Sequence, residues 1–464
     1  MLTIARSRAF ARSVALVGLL AALGCKRAPP PGRNEPAADA GPSGVSAPAA
    51  DAAANAPPTR PPSDANVILI TVDCLRADMP WAGYPRPIAP RLTALAEKSV
   101  QYARAYALSS YTSMSLGGLL GGRLPGELSR DGYFFGAYAE SNTFFPERLR
   151  EAGVRTMAAH AHGYFKDAGF RQGFDAYEIV PGLKWNNTTD ENVTSPALES
   201  IAERLLGDPR NASSRFFAWF HFLDPHDQYQ AHEGIGPYGK SLRDRYDAEV
   251  TFTDRSIGKL LDFIANAPWA ARTAIIVTAD HGEAFGEHHQ YMHGFELWEN
   301  LVRVPLLVVM PGAPPAKIDR AVSAIDLAPT ILDTLGVAPE ASFEGRSLVG
   351  EIYGAAPQAP ARDVVVDLPA TSDNQRRRAL IHDRHKVIAF GEPQYLQVFD
   401  LEADPGEEHP IVRGPAYDDL TRRLRELDKS VKDKPPTSCK EGCLGGAYNL
   451  PKDAGAAAKA DGSP

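Results

Sequence analysis

Basic residues are fewer than acidic residues in this sequence, which argues against nucleic acid as a partner. The chain of 464 residues has 49 lysines and arginines against 57 aspartates and glutamates, a formal net charge of −8. Because the basic residues are scattered, nothing indicates a surface for nucleic acid or for an anionic membrane. Hydrophobic residues make up 44% of the chain, enough for one large core and a smaller second unit. No nucleic-acid partner is therefore expected.

Cysteine is scarce as well, with four residues in the whole chain. Cys439 and Cys443 lie close enough in the tail to form a small local disulfide if the protein is exported, and two free thiols are the alternative. Cys74 is then left without a disulfide partner and is predicted to be buried.

Long apolar runs are missing apart from one short run at the N-terminus. Residues 14–23 are apolar, but the run is too short to span a membrane comfortably. Three arginines precede it and Gly24 follows it, which is the order of charged, apolar and small residues in a secretory signal. Cys25 after Gly24 is similar to a bacterial lipobox, in which the cysteine is lipidated, although Ala22 stands where leucine is usual. Residues 1–25 are thus predicted to be a signal with Cys25 as its lipidation site. An ordinary signal peptide and a weak membrane anchor are the alternatives.

Each of these alternatives exports the protein, and the next segment has the composition of a tether. Residues 26–65 consist mostly of Ala, Pro, Gly, Ser and Asp, so they cannot bury enough surface to offset the entropy of ordering. We therefore expect a membrane-anchored lipoprotein that faces the periplasm or the cell surface. The predicted remainder is a main domain at 66–350, a small α+β subdomain at 360–432 and a disordered tail at 433–464.

Strand-like and helix-like segments alternate along the main domain. The alternation is typical of an α/β fold with a doubly wound, mostly parallel central sheet that carries helices on both faces. From about residue 363, short strands and a charged helix near 416–432 indicate the α+β subdomain. In the main domain we predict strands at 67–72, 153–159, 215–220, 274–279 and 304–310, helices at 91–98, 144–151, 195–206 and 243–265, and a loop at 164–195.

Two of the predicted strands end in carboxylates. The strand 274–279 runs into Asp280 and His281, and the strand 67–72 runs into Asp73. In such sheets ligands bind outside the carboxyl ends of the strands, so we expect these side chains to form one polar site. Other predicted strand or helix ends carry further polar residues, namely Arg76, Thr112, His160, His162, Asp224 and His226, and His293 follows.

Thr112 lies at the predicted N-terminus of a helix that begins with several hydroxyl residues. If the polar clusters converge, a divalent ion held by carboxylates and imidazole would lower the pKa of this hydroxyl and neutralise the oxyanion of an ester. The helix N-terminus would add a partial positive charge. Plain helix capping is the alternative role for the hydroxyl.

The motifs at these positions resemble those of the sulfatase family within the alkaline-phosphatase superfamily. The resemblance extends from residue 66 to about residue 430, and it implies the α/β fold described above and action on an anionic ester. The segments that carry it are 66–78, 224–226, 278–283, 293–305, 325–330, 344–348 and 399–407.

The resemblance also implies a role for each candidate residue. Asp73, Asp280 and His281 match metal ligands, with the Thr112 hydroxyl as a fourth partner. This donor set favours zinc or manganese as the single divalent ion, with calcium and magnesium as alternatives. The expected catalytic groups are Thr112, Arg76, His226 and His293, the two histidines holding the anionic oxygens or protonating the leaving group. The expected substrate-binding groups are Asp224 and His162, or His160 in its place.

Two departures from the family pattern change the expected chemistry. Cys74 stands where many sulfatases have a second aspartate, and it is either a packed cysteine or a ligand for zinc. The Cys-x-Pro-Ser-Arg signal for formylglycine is replaced by the run from Thr112 to Leu116. Threonine cannot yield the aldehyde whose hydrate expels sulfate, whereas a phosphothreonine is resolved by water or an alcohol. Phosphoethanolamine transferases and lipoteichoic acid synthases of the superfamily have a threonine at this place.

The leading hypothesis is an exported, metal-dependent hydrolase of sulfate or phosphate esters with Thr112 as nucleophile. The alternatives are a transferase of phosphoethanolamine-like or glycerophosphate-like groups, a degenerate protein that only binds glycans or lipids, and a formylglycine sulfatase. Retention of the metal-matching residues argues against degeneracy. The expected partners are an anionic ester, which could be a glycan, a lipid or a small molecule, and a membrane reached through the N-terminal lipid anchor.

Overall fold

The computed structural model describes residues 58–133, 135–184, 193–354, 361–391 and 394–437. The predicted signal with Cys25 and most of the predicted tether and tail, including Cys439 and Cys443, lie outside these residues. Within the part of the chain that is described, no helix combines the length and the apolar character needed to cross a membrane.

The main domain consists of strands and helices that alternate along the chain. Its strands are β1 (Asn66–Val72), β2 (Val100–Tyr106), β3 (Arg155–His160), β4 (Ala176–Ile179), β5 (Phe216–Phe222), β6 (Thr273–Ala279), β7 (Ala284–Phe285), β8 (Tyr291–Met292), β9 (Arg303–Val304), β10 (Leu306–Val309) and β11 (Ala316–Ser323). Its helices are α1 (Pro90–Ala96), α2 (Thr112–Gly121), α3 (Phe145–Glu151), α4 (Ser195–Gly207), α5 (Pro209–Ala212), α6 (Leu242–Ala265), α7 (Glu299–Val302), α8 (Leu327–Thr334) and α9 (Val349–Ile352).

The strands form a nine-stranded sheet in the order β11-β2-β10-β6-β1-β5-β3-β4, with β9 paired to β2. The pairs β11–β2, β6–β1, β1–β5, β5–β3 and β3–β4 are parallel, and β10 runs antiparallel to both of its neighbours. The predicted fold class is therefore confirmed, because a mostly parallel sheet with helices forms the main domain and a small antiparallel unit follows it.

Both faces of the central strands are covered. Every residue of β1 and of β5 is buried, and successive side chains of a strand point to opposite faces of the sheet. Two groups of helices supply the cover, since α1 and α4 pack against α6, whereas α2, α3 and α8 pack against one another.

Several elements differ from the sequence-based expectation, most of them short. Strand β4 lies inside the segment 164–195 that was expected to be a loop, and β11 and α8 were not expected at all. Strand β4 is only four residues long and half-buried, and the first half of β11 is exposed and polar, so neither shows the apolar run of a central strand.

Residues 58–65 belong to the fold, although the sequence predicts them as the end of a disordered tether. Arg60 donates to Asp333 at 2.8 Å, the Asp64 carbonyl accepts from Arg272 at 2.5 Å, and Ala65 is fully buried. These contacts are mostly polar, so the low hydrophobicity of the segment did not reveal them.

The tail likewise begins later than residue 433. Asp433 pairs with Arg378, and the backbone N–H of Lys434 donates to the Gly126 carbonyl at 2.8 Å. Polar contacts of this kind again fix a segment that has little apolar surface.

The C-terminal subdomain is an antiparallel sheet with one helix. It consists of β12 (Val364–Leu368), β13 (Arg377–His382), β14 (His385–Phe390), β15 (Tyr395–Asp400) and α10 (Pro415–Ser430), and its strands pair in sequence order. One face of this sheet shares an apolar cluster with Tyr111, Met114 and Leu301 of the main domain. The other face packs on α10. The subdomain therefore packs directly against the start of α2.

A buried lysine joins the subdomain to the main domain. The Lys386 ammonium lies 3.0 Å from a Glu299 oxygen and 2.9 Å from a Glu407 oxygen, and it is fully buried. Glu407 also accepts a hydrogen bond from the backbone N–H of Glu299 at 2.6 Å. Because buried charges persist only when paired, this contact fixes the start of α7 against the C-terminal sheet.

Candidate active site

The ends of β1 and β6 bring two carboxylates together. The strands are parallel neighbours, and Val72 pairs in register with Ala279. The next residues, Asp73 and Asp280, therefore leave the sheet side by side at its carboxyl edge, and both are buried.

Asp280 has a buried oxygen without a partner. Its Oδ1 accepts from the backbone N–H of His281 at 2.9 Å, but Oδ2 has no hydrogen-bond partner among the described residues. Burial, with the neighbouring Asp73 carboxylate, raises the pKa of Asp280 well above its usual range. A carboxylate left in this condition is costly unless a cation or a proton occupies the space beside it.

Asp73 is ionised more readily because a histidine donates to it. His221 Nε2–H donates to Asp73 Oδ2 at 3.2 Å, because a carboxylate can only accept. In the neutral ring, Nδ1 then accepts from the Thr71 hydroxyl at 2.8 Å, and that hydroxyl accepts from Trp219 at 2.9 Å. Burial opposes ionisation of Asp73, but the hydrogen bond from His221 and the nearby imidazoles hold its pKa well below the usual range.

His281 presents a lone pair to the same space. Its Nδ1–H donates to the Gly282 carbonyl at 2.9 Å, which leaves Nε2 as an acceptor. Nε2 lies 3.3 Å from Asp280 Oδ2 and 3.6 Å from Asp73 Oδ1. Burial, and then the neighbouring His293, lower the pKa of His281 to about 3, so the ring is neutral as a metal ligand requires.

The Thr112 hydroxyl lies next to the side chain of His281. Thr112 is the first residue of α2, and its hydroxyl lies 3.0 Å from His281 Nε2. The backbone N–H groups at the start of the helix have no partners within the helix, so they favour an anion in front of Thr112.

The chain path that places Asp280 and His281 requires a glycine next to them. Gly282 donates to the Leu301 carbonyl at 2.7 Å, and a Cβ at this position would lie 2.1 Å from the Asn300 carbonyl oxygen. The segment after β6 is thereby paired with α7, which Lys386 fixes to the subdomain.

These residues fit a divalent cation. Asp73, Cys74 and His281 offer ligand atoms within 4.8 Å of one another. His221 is near but serves as the hydrogen-bond donor that orients Asp73. The unpartnered Asp280 oxygen and the neutral His281 point to the same conclusion. The predicted metal ligands therefore converge on one place, with the Thr112 hydroxyl beside them.

Two more histidines stand next to this place. The ring of His293 lies 4.3 Å from that of His281 and 5.1 Å from that of His226, measured between centroids. His226 Nδ1–H donates to the Asp227 carbonyl at 2.7 Å, and the Glu283 carboxylate accepts from His293 Nδ1 at 3.1 Å. Burial opposes a charge on His293, but Glu283 raises the pKa of this imidazole.

His162 lies at the edge of the site. Its ring centroid is 6.4 Å from that of His226, and it stacks on Phe135. Its Nδ1 accepts from the backbone N–H of Tyr164 at 2.9 Å. Burial, with His226 second, lowers the pKa of His162 to about 3, so the ring is neutral.

Arg76 stabilises a neighbouring turn, and among the described residues it has no hydrogen bond to Thr112. Its guanidinium donates to Asp78 at 2.9 Å, to Glu287 at 2.8 Å and to the Glu283 carbonyl at 2.7 Å. These partners make Arg76 a positioning residue for Glu283, whereas the sequence suggested a catalytic role.

Asp224 and His160 also have environments that do not suit substrate binding. Asp224 accepts hydrogen bonds from the Thr194 N–H at 2.7 Å and the Ser195 N–H at 2.6 Å, which caps α4. His160 is fully buried, with its ring 4.5 Å from that of Phe165 and 4.3 Å from that of Trp219. Of the two candidate histidines after β3, His162 is the one near the site.

Sequence reasoning missed His221, Glu283 and Tyr229. Tyr229 donates to Glu283 at 2.9 Å and so fixes the carboxylate that contacts His293. Glu283 sits in the quoted motif 278–283, and His221 ends a buried strand, so both carried a sequence signal. Their roles depend on which side chain faces which, and that is decided by strand register.

The fold and this site define an α/β protein with a candidate metal centre at the carboxyl ends of its central strands. The chain belongs to the Sulfatase family, whose model matches residues 65–337, more than half of the sequence. A second model, described as N-sulphoglucosamine sulphohydrolase, C-terminal, matches residues 286–434.

Curated relatives resemble part of the chain. N-acetylglucosamine-6-O-sulfatase of Bacteroides thetaiotaomicron is 31% identical over 211 residues, which are 43% of this chain and 38% of that protein. Choline-sulfatase of Rhizobium meliloti is 28% identical over 203 residues, which are 41% of this chain and 38% of that protein. The matches therefore span less than half the length of these relatives.

Solved structures resemble most of the described fold. Phosphonate monoester hydrolase of Agrobacterium radiobacter matches with a TM-score of 0.67 and 18% identity, covering 79% of this chain and 95% of that one. At this identity the likeness shows the fold alone.

Proposed function

We propose that this protein is an exported, metal-dependent hydrolase of anionic esters, and that Thr112 is its nucleophile. The observation that carries the proposal is the position of the Thr112 hydroxyl. It lies at the N-terminus of α2 and 3.0 Å from His281 Nε2, next to the carboxylates of Asp73 and Asp280. A nucleophile, a set of metal ligands and a positive helix end thus share one space.

Asp73, Asp280, His281 and the Thr112 hydroxyl would hold the ion. A bound divalent ion lowers the pKa of a coordinated hydroxyl and neutralises charge on the oxygens of an ester. His221 keeps Asp73 ionised and oriented, and the Gly282 carbonyl keeps the lone pair of His281 on Nε2. The donor set favours zinc or manganese over calcium and magnesium, because one ligand is an imidazole.

In the reaction, the Thr112 hydroxyl gives its proton to solvent and its oxygen bonds to the central atom of the ester. The bond from that atom to the leaving oxygen breaks, and the leaving oxygen takes a proton from His226 or His293. Water then attacks the same atom, the bond to the Thr112 oxygen breaks, and the protons of the water return to the Thr112 oxygen and to the histidine.

Phosphate or phosphonate esters suit this nucleophile better than sulfate esters. A covalently bound sulfate is released from a formylglycine hydrate by its second hydroxyl, and Thr112 has no second hydroxyl. A phosphothreonine is cleaved by in-line attack of water. The curated relatives are sulfatases by name, and phosphonate monoester hydrolase shares the fold.

We also propose that residues 1–25 export the chain and that Cys25 anchors it in a membrane by a lipid. The support is the order of arginines, apolar run and small residues before Cys25. A Cys25→Ser variant should lose both fatty-acid labelling and recovery in the membrane fraction, and unchanged labelling would contradict the proposal.

The nucleophile is tested with Thr112→Ala. Activity is first located by a screen of aryl sulfates, phosphate monoesters, phosphate diesters and phosphonates in the presence of Zn²⁺ or Mn²⁺. On the best substrate, kcat/KM of Thr112→Ala should fall on the order of a thousandfold or more, about 4 kcal/mol of barrier, while folding is kept. Thr112→Ser should retain part of the activity because it presents the same hydroxyl.

Ser113→Ala is the matched control, because it removes the adjacent hydroxyl on the buried side of the same helix turn. Its kcat/KM should remain close to that of the wild type.

The covalent intermediate gives a separate test of the nucleophile. Rapid quenching of the wild-type reaction should reveal an added phosphoryl group on the peptide that contains Thr112. A Thr112→Ala variant that keeps more than about a tenth of the wild-type rate would show that water attacks the ester directly.

A further inference from the structure

A second group of ligand atoms lies directly beside the first. One atom each of Cys74, His226 and His293 lies within 4.8 Å of the others. Cys74 Sγ is 3.4 Å from His293 Nδ1 and 3.1 Å from Asp73 Oδ1, so the thiol stands between the two groups. Cys74 and His293 are buried and His226 is half-buried, so a position facing the substrate side is left beside His226.

The surroundings of Cys74 are not those of an inert packed cysteine. An inert cysteine lies among apolar side chains, whereas the sulfur of Cys74 contacts a carboxylate and an imidazole. Its backbone has a φ of 58°, in the left-handed region that a non-glycine residue rarely adopts. The Cys74 carbonyl accepts a hydrogen bond from Tyr246 at 2.9 Å, which helps to keep the turn in place.

Both histidines are oriented by partners of the kind that support metal ligands. The Asp227 carbonyl holds His226 Nδ1–H at 2.7 Å, so the lone pair of His226 is on Nε2. Glu283 contacts His293 at 3.1 Å and is itself held by Tyr229. Carboxylates and carbonyls that orient a histidine in this way are characteristic of ligands in metal sites.

The charge of the whole site also calls for more than one cation. Asp73, Asp280 and Glu283 are buried and supply three negative charges, and a Cys74 thiolate would supply a fourth. Two divalent ions supply four positive charges and balance this set.

We propose that Cys74, His226 and His293 bind a second divalent cation, zinc in preference, next to the cation held by Asp73, Asp280 and His281. Thiolate and imidazole are the ligands that zinc and cobalt favour over calcium and magnesium. Three protein ligands would leave a fourth position open for an oxygen of the ester. An ion bound there would stabilise the leaving oxygen in place of a proton from His226 or His293. The inference deepens the proposed function and rests on it only for the ion at Asp73.

The first test is the metal content of the wild-type full chain, stripped with a chelator and reloaded with Zn²⁺. Two equivalents per chain are expected. One equivalent would overturn the second site and leave the proposed function intact, because the first group alone accounts for it. No bound zinc would overturn both.

The second test identifies the thiolate. The full chain carrying Cys25→Ser, Cys439→Ser and Cys443→Ser keeps Cys74 as its one thiol. Loaded with Co²⁺, it should show a near-ultraviolet charge-transfer band from sulfur to cobalt. The band should be lost when Cys74→Ser is added, and metal content should fall from two equivalents to one.

A chain with two equivalents of Co²⁺ but no such band would overturn the role of Cys74. A band that persists after Cys74→Ser would do the same. If Cys74→Ser fails to fold, His226→Gln in the same background replaces it, because removal of one imidazole should lower the content to one equivalent and change the band. A Cys74→Asp variant should still bind two ions but with a lower preference for Zn²⁺ over Mn²⁺, since a carboxylate oxygen replaces sulfur.

Discussion

Among the described residues, two groups of three carboxylates differ in the source of their positive charge, and only the second group is buried as a whole. In the C-terminal subdomain, Asp367, Asp428 and Asp433 surround Arg378, whose guanidinium donates to them at 2.9, 2.9 and 2.8 Å. At the carboxyl edge of the main sheet, the side chains of Asp73, Asp280 and Glu283 accept no hydrogen bond from a lysine or arginine among the described residues. Their neighbours are imidazoles, a thiol and two hydroxyls.

The difference distinguishes carboxylates that stabilise the fold through an internal cation from carboxylates that require a bound cation. Every carboxylate around Arg378 accepts a hydrogen bond from it, so that group is complete within the chain. Asp280 keeps a buried oxygen without a partner, and its pKa is raised by burial and by Asp73. Since an uncompensated buried carboxylate is unfavourable, the second group is complete only when a cation binds.

The variant Asp280→Asn tests most directly whether the carboxylates at the edge of the main sheet bind a cation. The variant should lose one equivalent of bound metal, and kcat/KM should fall on the order of a thousandfold, about 4 kcal/mol of barrier. The free energy of unfolding of the metal-free protein should not fall, because one of two facing carboxylates becomes neutral. Metal analysis and urea unfolding in the presence of a chelator measure both effects. Unchanged metal content would contradict the assignment.

For Arg378→Met we expect a loss of stability and no loss of bound metal. Removing the guanidinium leaves the fully buried Asp367 without its nearest cation, because Arg376 lies 3.9 Å away, so the free energy of unfolding should fall by about 3 kcal/mol. Activity per folded molecule and metal content should be kept. Arg422→Met is the control, because Arg422 pairs on the exposed face of α10, and the change there should stay within about 0.5 kcal/mol. A loss of bound metal in Arg378→Met would mean that the two groups are coupled.

The smallest expected effect concerns Asp224, a carboxylate with partners in the chain. Asp224→Ala should lower the free energy of unfolding by about 0.5–2 kcal/mol, because α4 loses its cap. KM should remain unchanged, since no substrate contact is lost. Asp224→Asn keeps an acceptor oxygen and should recover most of the stability. A large rise in KM with unchanged stability would instead support the substrate-binding role suggested by the sequence.

The sequence predicts the centre of the main domain well because its central strands are apolar throughout. Strands β1, β5 and β6 are recognisable from residues alone, and α6 begins at a capping box formed by Ser241 and Asp244. Strand β11 pairs at the edge of the sheet and is half polar, so it lacks that signal. The antiparallel direction of β10 depends on pairing between distant segments, which no local pattern encodes.

The candidate site was predictable as a set of strand ends but not as a set of contacts. Asp73 and Asp280 follow directly from two buried strands. His160 and His162 differ by only two residues, yet the first packs against Trp219 and the second lies near His226. Asp224 shows the same limit, because a carboxylate after a strand caps a helix or binds a ligand depending on which N–H groups approach it.

The Lys386 contact has a consequence for truncated chains. Asp280 and His281 are held by pairing of Gly282 with α7, and α7 is fixed at Glu299 by Lys386 and Glu407. Lys386 and Glu407 follow Asp280 by more than a hundred positions in the sequence. The pocket for the cation therefore depends on a part of the chain that supplies none of its ligands. A chain released before residue 407 keeps all the proposed metal ligands in its sequence but not the support that holds two of them in position.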